Sequence, residues 1–441
     1  MRLAIVGVGH VGLVTAAAMA ELGHVVVATD TDRAKLALLT AGEIPFYEPG
    51  LDEQLRKAQE SDRLRFVDEV AAAVSDVKAV FVCVGRLSPE GEDRSLAAVE
   101  AVVRGIAPHI PEGILVIEKS TVPPGTAERI RATILRERPE LDFEVVANPE
   151  FLREGQGVRD SLDPERIVVG ASSGRAFELM REIYEPLLAR GVRVIETDLR
   201  TAELAKLACN AFLATKISYI NGLARLCEAT GADVVDIAEV MGSDSRIGPA
   251  FLAAGLGYGG YCLPKDVGML RSVADHHGSD FGLLREVARI NDEAVDAVIT
   301  KVHDSVWNLE GKRVALLGLA FKGGTDDIRG APAIVLARKL LAEGADLVAY
   351  DPEAAGPAKE VMPELEIAPD ALAAADGADC VVICTDWDEF RRLDLDRLRT
   401  EMSTPIVIDG RNLLRPEDVE AAGLSYLPTG RPSHSRNPQW T

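Results

Sequence analysis

The 441-residue chain predicts an α/β protein, with two doubly wound domains joined by a long central helix and a helical domain. Three observations carry that expectation. A short apolar strand at the N-terminus enters a glycine turn and then an Ala-rich helix, the opening of a parallel βαβ array. A second strand, turn and helix begins at Lys312. Between the two lies one long helical pattern, from about Arg200 to Thr230.

Arg2-Leu3-Ala4-Ile5-Val6 reads as the first strand. Gly7-Val8-Gly9-His10-Val11-Gly12 follows it, then a helix to about Leu22, then a strand from His24 to Thr29 that ends at Asp30. The glycine pattern alone is weak, but the whole strand–fingerprint–helix–strand–acid unit is a dinucleotide-binding signature. In that reading Gly7 permits the tight turn, Gly9 the approach of a pyrophosphate, and Gly12 the packing of helix on strand. The helix N-terminus offers N–H groups and a favourable dipole. Asp30 falls 18 residues after Gly12, where a carboxylate accepts from a ribose 2′-hydroxyl and repels a 2′-phosphate, so NAD is expected rather than NADP. Further units follow: a strand at 80–84, a helix at 95–107, and a strand at 115–118 leading to Lys119-Ser120-Thr121-Val122-Pro123. Another strand, 145–147, leads to Asn148-Pro149-Glu150-Phe151-Leu152-Arg153-Glu154-Gly155, and strands at 167–170 and 192–195 complete the sheet. Ligands in such sheets bind past the carboxyl ends of strands, which puts Thr121, Glu150 and Glu154 where a site would form.

The helical pattern of 200–230 spans about 45 Å and is apolar nearly all round, so other helices or a second subunit should bury it. Lys206 and Asn210, four residues apart, share a face, and two such donors could hold an oxyanion. A helix over 233–241 follows. Then comes Leu256-Gly257-Tyr258-Gly259-Gly260-Tyr261-Cys262-Leu263-Pro264-Lys265-Asp266. Its glycines allow positive φ or close ligand approach. A cation near a thiol raises the share of reactive thiolate, and Lys265 lies three residues past Cys262. The bland alternative is a glycine loop with a small buried cysteine. Helices are expected to resume near Val267 and to run to about Leu309. Strands at 312–317 and 346–350, with a helix to about Glu343 between them, open a second unit, and strands at 380–384 and 405–408 extend it. This half lacks the full glycine fingerprint and reads as holding a different ligand. The domains are accordingly 1–198, 199–309 and 310–428, with a flexible tail at 429–441.

The formal charge of −22 disfavours nucleic acid and anionic membranes. No apolar run is long enough for a membrane span, and the N-terminus enters a strand at once, so neither a membrane segment nor a signal peptide is expected. Six cysteines, at 83, 209, 227, 262, 380 and 384, form no C-x-x-C pair. A reducing, cytoplasmic setting without disulfides fits them. Cys380 and Cys384 lie in an apolar run and should pack in a core. The histidines include no H-E-x-x-H, and no catalytic metal is expected.

These motifs, with Tyr47-Glu48-Pro49-Gly50, Ala202 to Phe212, Arg246-Ile247-Gly248, Phe321-Lys322 and Asp409-Gly410-Arg411, occur in the order and spacing of one family. Over its whole length the chain resembles the UDP-glucose/GDP-mannose dehydrogenases. The resemblance implies four-electron oxidation of a nucleotide sugar at C6, most closely UDP-glucose to UDP-glucuronate, with two NAD reduced. It implies that Cys262 attacks an aldehyde to give a thiohemiacetal, and that the thioester formed next is hydrolysed. Lys206 and Asn210 would stabilise oxyanions, Asp266 with a water held by Thr121 would act as acid and base, and Glu150 would serve hydrolysis. Cofactor contacts would come from Gly7 to Gly12, Asp30, Lys35, Val84, Gly85, Thr121, Glu154, Lys265 and Arg329. Sugar and nucleotide contacts would come from Glu150, Phe151, Leu152, Arg153, Glu154, Lys206, Asn210, Phe251, Leu256, Tyr258, Gly259, Phe321, Lys322 and Arg411. Arg246 would reach the substrate of a neighbouring subunit, making the chain at least a dimer.

Two departures stand out. Tyr261 occupies the place of the family's usual Ser, and Gly85-Arg86-Leu87 that of a common Thr-Pro. GDP-mannose and dTDP-glucose remain open as substrates. Two readings of other kinds also stand: a simpler β-hydroxyacid dehydrogenase, which would not need Cys262, and a nucleotide-sugar binder without turnover.

Overall fold

The computed structural model describes residues 1–85 and 95–433. The Arg86-Leu87 departure and the last eight residues of the expected tail lie outside them. The chain divides into two compact units, Met1–Cys209 and Asn210 onward.

The first unit holds an eight-stranded sheet: β1 (Arg2–Val6), β2 (Val25–Thr29), β3 (Leu64–Phe66), β4 (Ala79–Val82), β5 (Ile114–Glu118), β6 (Phe143–Ala147), β7 (Arg166–Gly170) and β8 (Arg193–Thr197). Its order is β3-β2-β1-β4-β5-β6-β7-β8, and every neighbouring pair is parallel except β6 and β7. Strands 1 to 6 thus follow the Rossmann order, with the switch point between β1 and β4. The central strands are apolar without alternation because both faces are covered: Leu3, Ala4, Ile5, Leu115, Val116 and Ile117 are all fully buried.

The second unit holds β9 (Arg313–Leu317), β10 (Asp346–Tyr350), β11 (Glu366–Ile367), β12 (Cys380–Ile383), β13 (Ile406–Asp409) and β14 (Ser425–Pro428). All its pairs are parallel, in the order β11-β10-β9-β12-β13-β14, which repeats the first six places of the other sheet. Cys380 and Cys384 are buried in its core.

The long helix is Leu199–Thr230. Asp198 caps it, accepting from the Thr201 N–H at 3.0 Å. Gly231, at φ +77°, ends it. Leu207, Ala211, Ala214, Ser218, Asn221 and Ala224 form its buried stripe. The all-round burial expected from composition does not hold within one chain, since Phe212, Tyr219 and Leu226 are exposed.

Two further expectations are corrected. The helix after the glycine loop starts at Cys262, not near Val267, and runs to His276. Pro264 falls in its first turn, where a missing N–H costs nothing. The C-terminal segment is held further than expected: Thr429 is buried, Gly430 donates to Glu228 at 2.7 Å, and Arg431 pairs with Asp233 at 2.9 Å. Among the described residues no helix is long and apolar enough to cross a membrane.

Candidate active site

In the first unit the site begins at the fingerprint turn. Gly7 takes φ +93°, and a Cβ there would lie 2.5 Å from Val84 and 2.6 Å from the Cys83 carbonyl. A Cβ on Gly12 would stand 1.8 Å from the Gly7 carbonyl oxygen, whereas one on Gly9 would meet nothing within 4 Å. Gly9 therefore faces open space of the kind a pyrophosphate needs. The helix His10–Glu21 starts directly at the turn. Asp30 accepts from the Val8 N–H at 2.9 Å and the Asp32 N–H at 3.0 Å, and pairs with Lys35 at 3.2 Å. Burial works against its ionised form, but those N–H groups and the ammonium hold the carboxyl below its ordinary range. Turn, helix terminus and carboxylate fit a dinucleotide with a free ribose 2′-hydroxyl.

The ends of β4, β5 and β6 carry the next residues. Ser120 accepts from the Val84 N–H at 3.0 Å and donates to the Val82 carbonyl, tying two strand ends together. Thr121, beside it, is half-buried. Asn148 is a buried hub: it donates to the Val168 carbonyl at 2.7 Å and accepts from Tyr184 at 2.7 Å and Lys119 at 3.2 Å. Glu150 and Lys206, both buried, form an ion pair at 3.1 Å. Burial opposes the Glu150 carboxylate, yet Lys206 and the Leu152 N–H hold its pKa below the ordinary range. Two cations stand near the Phe151 ring, the Arg166 guanidinium 4.2 Å and the Lys206 ammonium 5.2 Å from its centre. Arg153 is turned to Asp160 in a bidentate pair.

In the second unit, Cys262 is the first residue of its helix, where backbone N–H groups and the dipole favour an anion such as a thiolate. Burial pushes the thiols of Cys83, Cys380 and Cys384 up to about 12. Asp266 follows Cys262 by four residues, one turn on along the same face. Its side chain is fully buried, accepts from Asn210 Nδ2 at 2.6 Å, and pairs with the Lys265 ammonium at 2.8 Å. Asn210 sits one turn beyond Lys206 on the long helix.

The glycine loop is built to close tolerances. A Cβ on Gly260 would touch the Phe321 ring at 2.9 Å, and one on Gly259 would stand 2.4 Å from the Gly330 carbonyl oxygen. Asn291 grips Tyr258 by both backbone groups, accepting from its N–H at 2.7 Å and donating to its carbonyl at 3.1 Å. Asn221 accepts from the Gly255 N–H at 2.8 Å. Leu256 is buried against Gly410. Arg411 donates to the carbonyls of Cys384 at 2.7 Å, Phe321 at 3.0 Å and Gly257 at 3.5 Å. Tyr261 lies under two cations, with Arg329 at 4.7 Å and Lys265 at 5.3 Å from its ring centre. Lys322 stands 5.6 Å from the Phe321 ring.

Arg246 is on the surface, in a bidentate pair with Asp244. Phe251 is half-buried at φ +64°. Sequence reasoning gave no role to Glu48, Lys119, Asn221 or Asn291, which fix the loops that carry the candidates. For Glu48 alone there was a signal, its place in the Tyr-Glu-Pro-Gly motif.

Three family models match consecutive segments of the chain: the UDP-glucose/GDP-mannose dehydrogenase family NAD binding domain over residues 1–188, its central domain over 200–293, and its UDP binding domain over 315–416. A UDP-glucose 6-dehydrogenase of Rhizobium meliloti is 42% identical over 98% of this chain and 100% of its own. Among solved structures, a UDP-glucose dehydrogenase from Pyrobaculum islandicum is 34% identical with a TM-score of 0.89, over 98% of each chain. A UDP-D-ManNAc dehydrogenase from Pyrococcus horikoshii is 28% identical with a TM-score of 0.86, over 98% of this chain and 99% of its own.

Proposed function

Because the chain belongs to the UDP-glucose/GDP-mannose dehydrogenase family, we propose that it oxidises UDP-glucose at C6 to UDP-glucuronate, with two NAD reduced per sugar. The observation that carries this reading is the turn from Cys262 to Asp266, a thiol at a helix N-terminus followed by a buried carboxylate held by Asn210 and Lys265.

When bound along Gly9 and Asp30, NAD supplies the hydride acceptor for both oxidations. The protein's own groups do the rest. Asp266 takes the proton of the C6 hydroxyl, by way of a water held by Thr121. The Cys262 thiolate then adds to the C6 aldehyde: a C–S bond forms and the carbonyl electron pair moves to oxygen, giving a thiohemiacetal. Asn210 and Lys206, one helical turn apart, donate to that oxygen. Oxidation of this adduct leaves a thioester. Glu150, kept ionised beside Lys206, draws a proton from water. The water oxygen bonds to the thioester carbon, the C–S bond breaks, and Cys262 departs as thiolate. Phe321, Lys322 and Arg411, all within the segment matched by the UDP binding domain, serve the nucleotide end.

The reading includes a homo-oligomer. Phe212, Tyr219 and Leu226 are 65%, 56% and 57% exposed at seven-residue intervals, an apolar stripe that a second copy would cover. Arg246 would then serve the neighbouring subunit. Cysteines without disulfides among the described residues, and NAD chemistry, suit a cytoplasmic setting.

The test is NADH formed per nucleotide sugar consumed, with UDP-glucose, GDP-mannose and dTDP-glucose each limiting in turn. Two per UDP-glucose is expected. One per sugar would remove the thioester route and return Cys262 to a packing role. Two with another sugar would reassign the substrate.

A further inference from the structure

We propose that Glu48 and His10 form a positioning pair that locks the loop 150–157 onto the dinucleotide fingerprint. It is not part of the chemistry assigned above, but it rests on the reading that Glu150 and Glu154 meet the nucleotide sugar.

Glu48 lies in the turn before the helix Leu51–Glu60, and its side chain is fully buried. An ionised carboxylate in that position is costly unless donors surround it. Three do. Oε1 accepts from the Gly157 N–H at 2.8 Å, and Oε2 accepts from the Gly155 N–H at 2.8 Å. The His10 Nε2 lies 2.6 Å from Oε2. His10 is the residue between Gly9 and Val11 in the fingerprint, and it opens the helix that faces the pyrophosphate position. One carboxylate therefore joins two stretches 145 residues apart in sequence, the cofactor turn at residue 10 and the substrate loop at residue 155. Packing tightens the joint. A Cβ on Gly157 would come within 3.5 Å of both Glu48 Oε1 and the His10 ring, and the ring centre lies 5.0 Å from that of Phe46.

The charged groups that face His10 are Glu48, Glu154 and Glu150. Burial disfavours the imidazolium, but the Glu48 hydrogen bond and the neighbouring carboxylates outweigh it, so His10 is charged to higher pH than an ordinary histidine. The lock has a charged His10 below that raised pKa and weakens as pH rises through it.

Hydrogen exchange at the Gly155 and Gly157 amides of the ligand-free protein tests the lock without reference to activity. Glu48→Gln keeps the shape but turns an N–H₂ toward the donors. Exchange at both amides should quicken about tenfold or more, and KM for UDP-glucose should rise by a similar factor with a smaller fall in kcat. Glu48→Asp should recover part of both. If Glu48→Gln does not fold, His10→Gln keeps both glycine contacts and should show a weaker version of the same two changes, about threefold. KM of the parent should rise as pH passes that raised His10 pKa, and His10→Gln should abolish the rise. Unchanged exchange in folded variants overturns the proposal. Faster exchange with unchanged KM upholds the lock and instead overturns the assignment of Glu150 and Glu154 to the sugar.

Discussion

The two sheets share a strand order and part company at the turn after the first strand. Gly7 and Gly318 take nearly the same φ, +93° and +99°. Each is followed by a strand that ends in an acid, Asp30 after β2 and Asp351 after β10. In the first unit a helix begins three residues after the glycine, so its free N–H groups line the turn. In the second, the next helix begins only at Pro332, and the intervening loop carries Phe321, Lys322 and Arg329. The acids differ accordingly. Asp351 is buried and spends its lone pairs on its own surroundings, accepting from the N–H groups of Leu319, Ala320, Glu353 and Ala354 and from Trp387 Nε1. Asp30 keeps some exposure and fewer partners. On the function proposed above, the same scaffold serves a dinucleotide in one place and holds a self-satisfied pin in the other. What separates them is how far the helix start lies from the glycine.

That comparison breaks most sharply at the two acids. Asp351→Ala strands five donors, most of them buried, and should cost about 3–5 kcal/mol of stability. It should leave the choice between NAD and NADP untouched. Asp30→Ala should cost about 1 kcal/mol or less, but should narrow the preference for NAD over NADP at least about tenfold. Thermal melts and KM values for the two cofactors read both effects. An Asp351→Ala protein that melts like the parent would mean the second acid is not a pin. Unchanged selectivity in Asp30→Ala would mean the first is not a reader.

Within the first unit the glycines sharpen the same point. Gly12→Ala drives a Cβ into the Gly7 carbonyl at 1.8 Å, a backbone clash that no side-chain shift relieves. A loss of about 3 kcal/mol, with cofactor binding failing as the turn distorts, is expected. Gly9→Ala has room for its methyl, since a Cβ there meets nothing within 4 Å. It should melt within a degree or two of the parent, yet lose NADH affinity about tenfold or more by fluorescence titration, because the methyl fills the place of a phosphate. A Gly9→Ala protein that binds normally would remove the pyrophosphate from that turn.

Much of this was legible in the sequence because it is local. The fingerprint, its spacing to Asp30 and the Cys-x-x-x-Asp turn lie within stretches that periodicity can read. The supports were not legible, because hydrogen bonds made far along the chain leave no pattern at either end. Glu48 reaches residues more than a hundred positions away, and Asn291 grips Tyr258 from 33 positions on. The helix start at Cys262 was missed for a different reason. Proline reads as a helix breaker, although the first helical turn, where Pro264 falls, is where it is tolerated. The edge strands β3, β11 and β14 went unread because two to four residues cannot display an alternation.

The fifth strand of each sheet offers the mildest contrast. β5 ends in Glu118 and β13 in Asp409, both buried. Asp409 accepts from the Leu414 N–H, the Arg411 N–H and the Tyr426 hydroxyl. Glu118 accepts from the Ser120 N–H through Oε1, while its Oε2 has no hydrogen-bond partner among the described residues. Burial raises both pKa values, Glu118 to about 8. The unfolded carboxyl releases its proton near 4.5, so between about 4.5 and about 8 the folded state binds more protons than the unfolded one. Stability from Glu118 is therefore full below that window and falls as pH rises through it. One such proton sets a ceiling of about 1.4 kcal/mol per pH unit. Glu203, raised to about 7 by burial, titrates in the same window and masks part of the slope. Glu118→Gln should remove the Glu118 share, gaining up to about 3–4 kcal/mol on the parent at pH 8 relative to pH 5, several degrees in the melt. A parallel pair of melting curves across that range would mean Glu118 is ionised in the folded protein. The better-supplied Asp409 would then no longer differ from it.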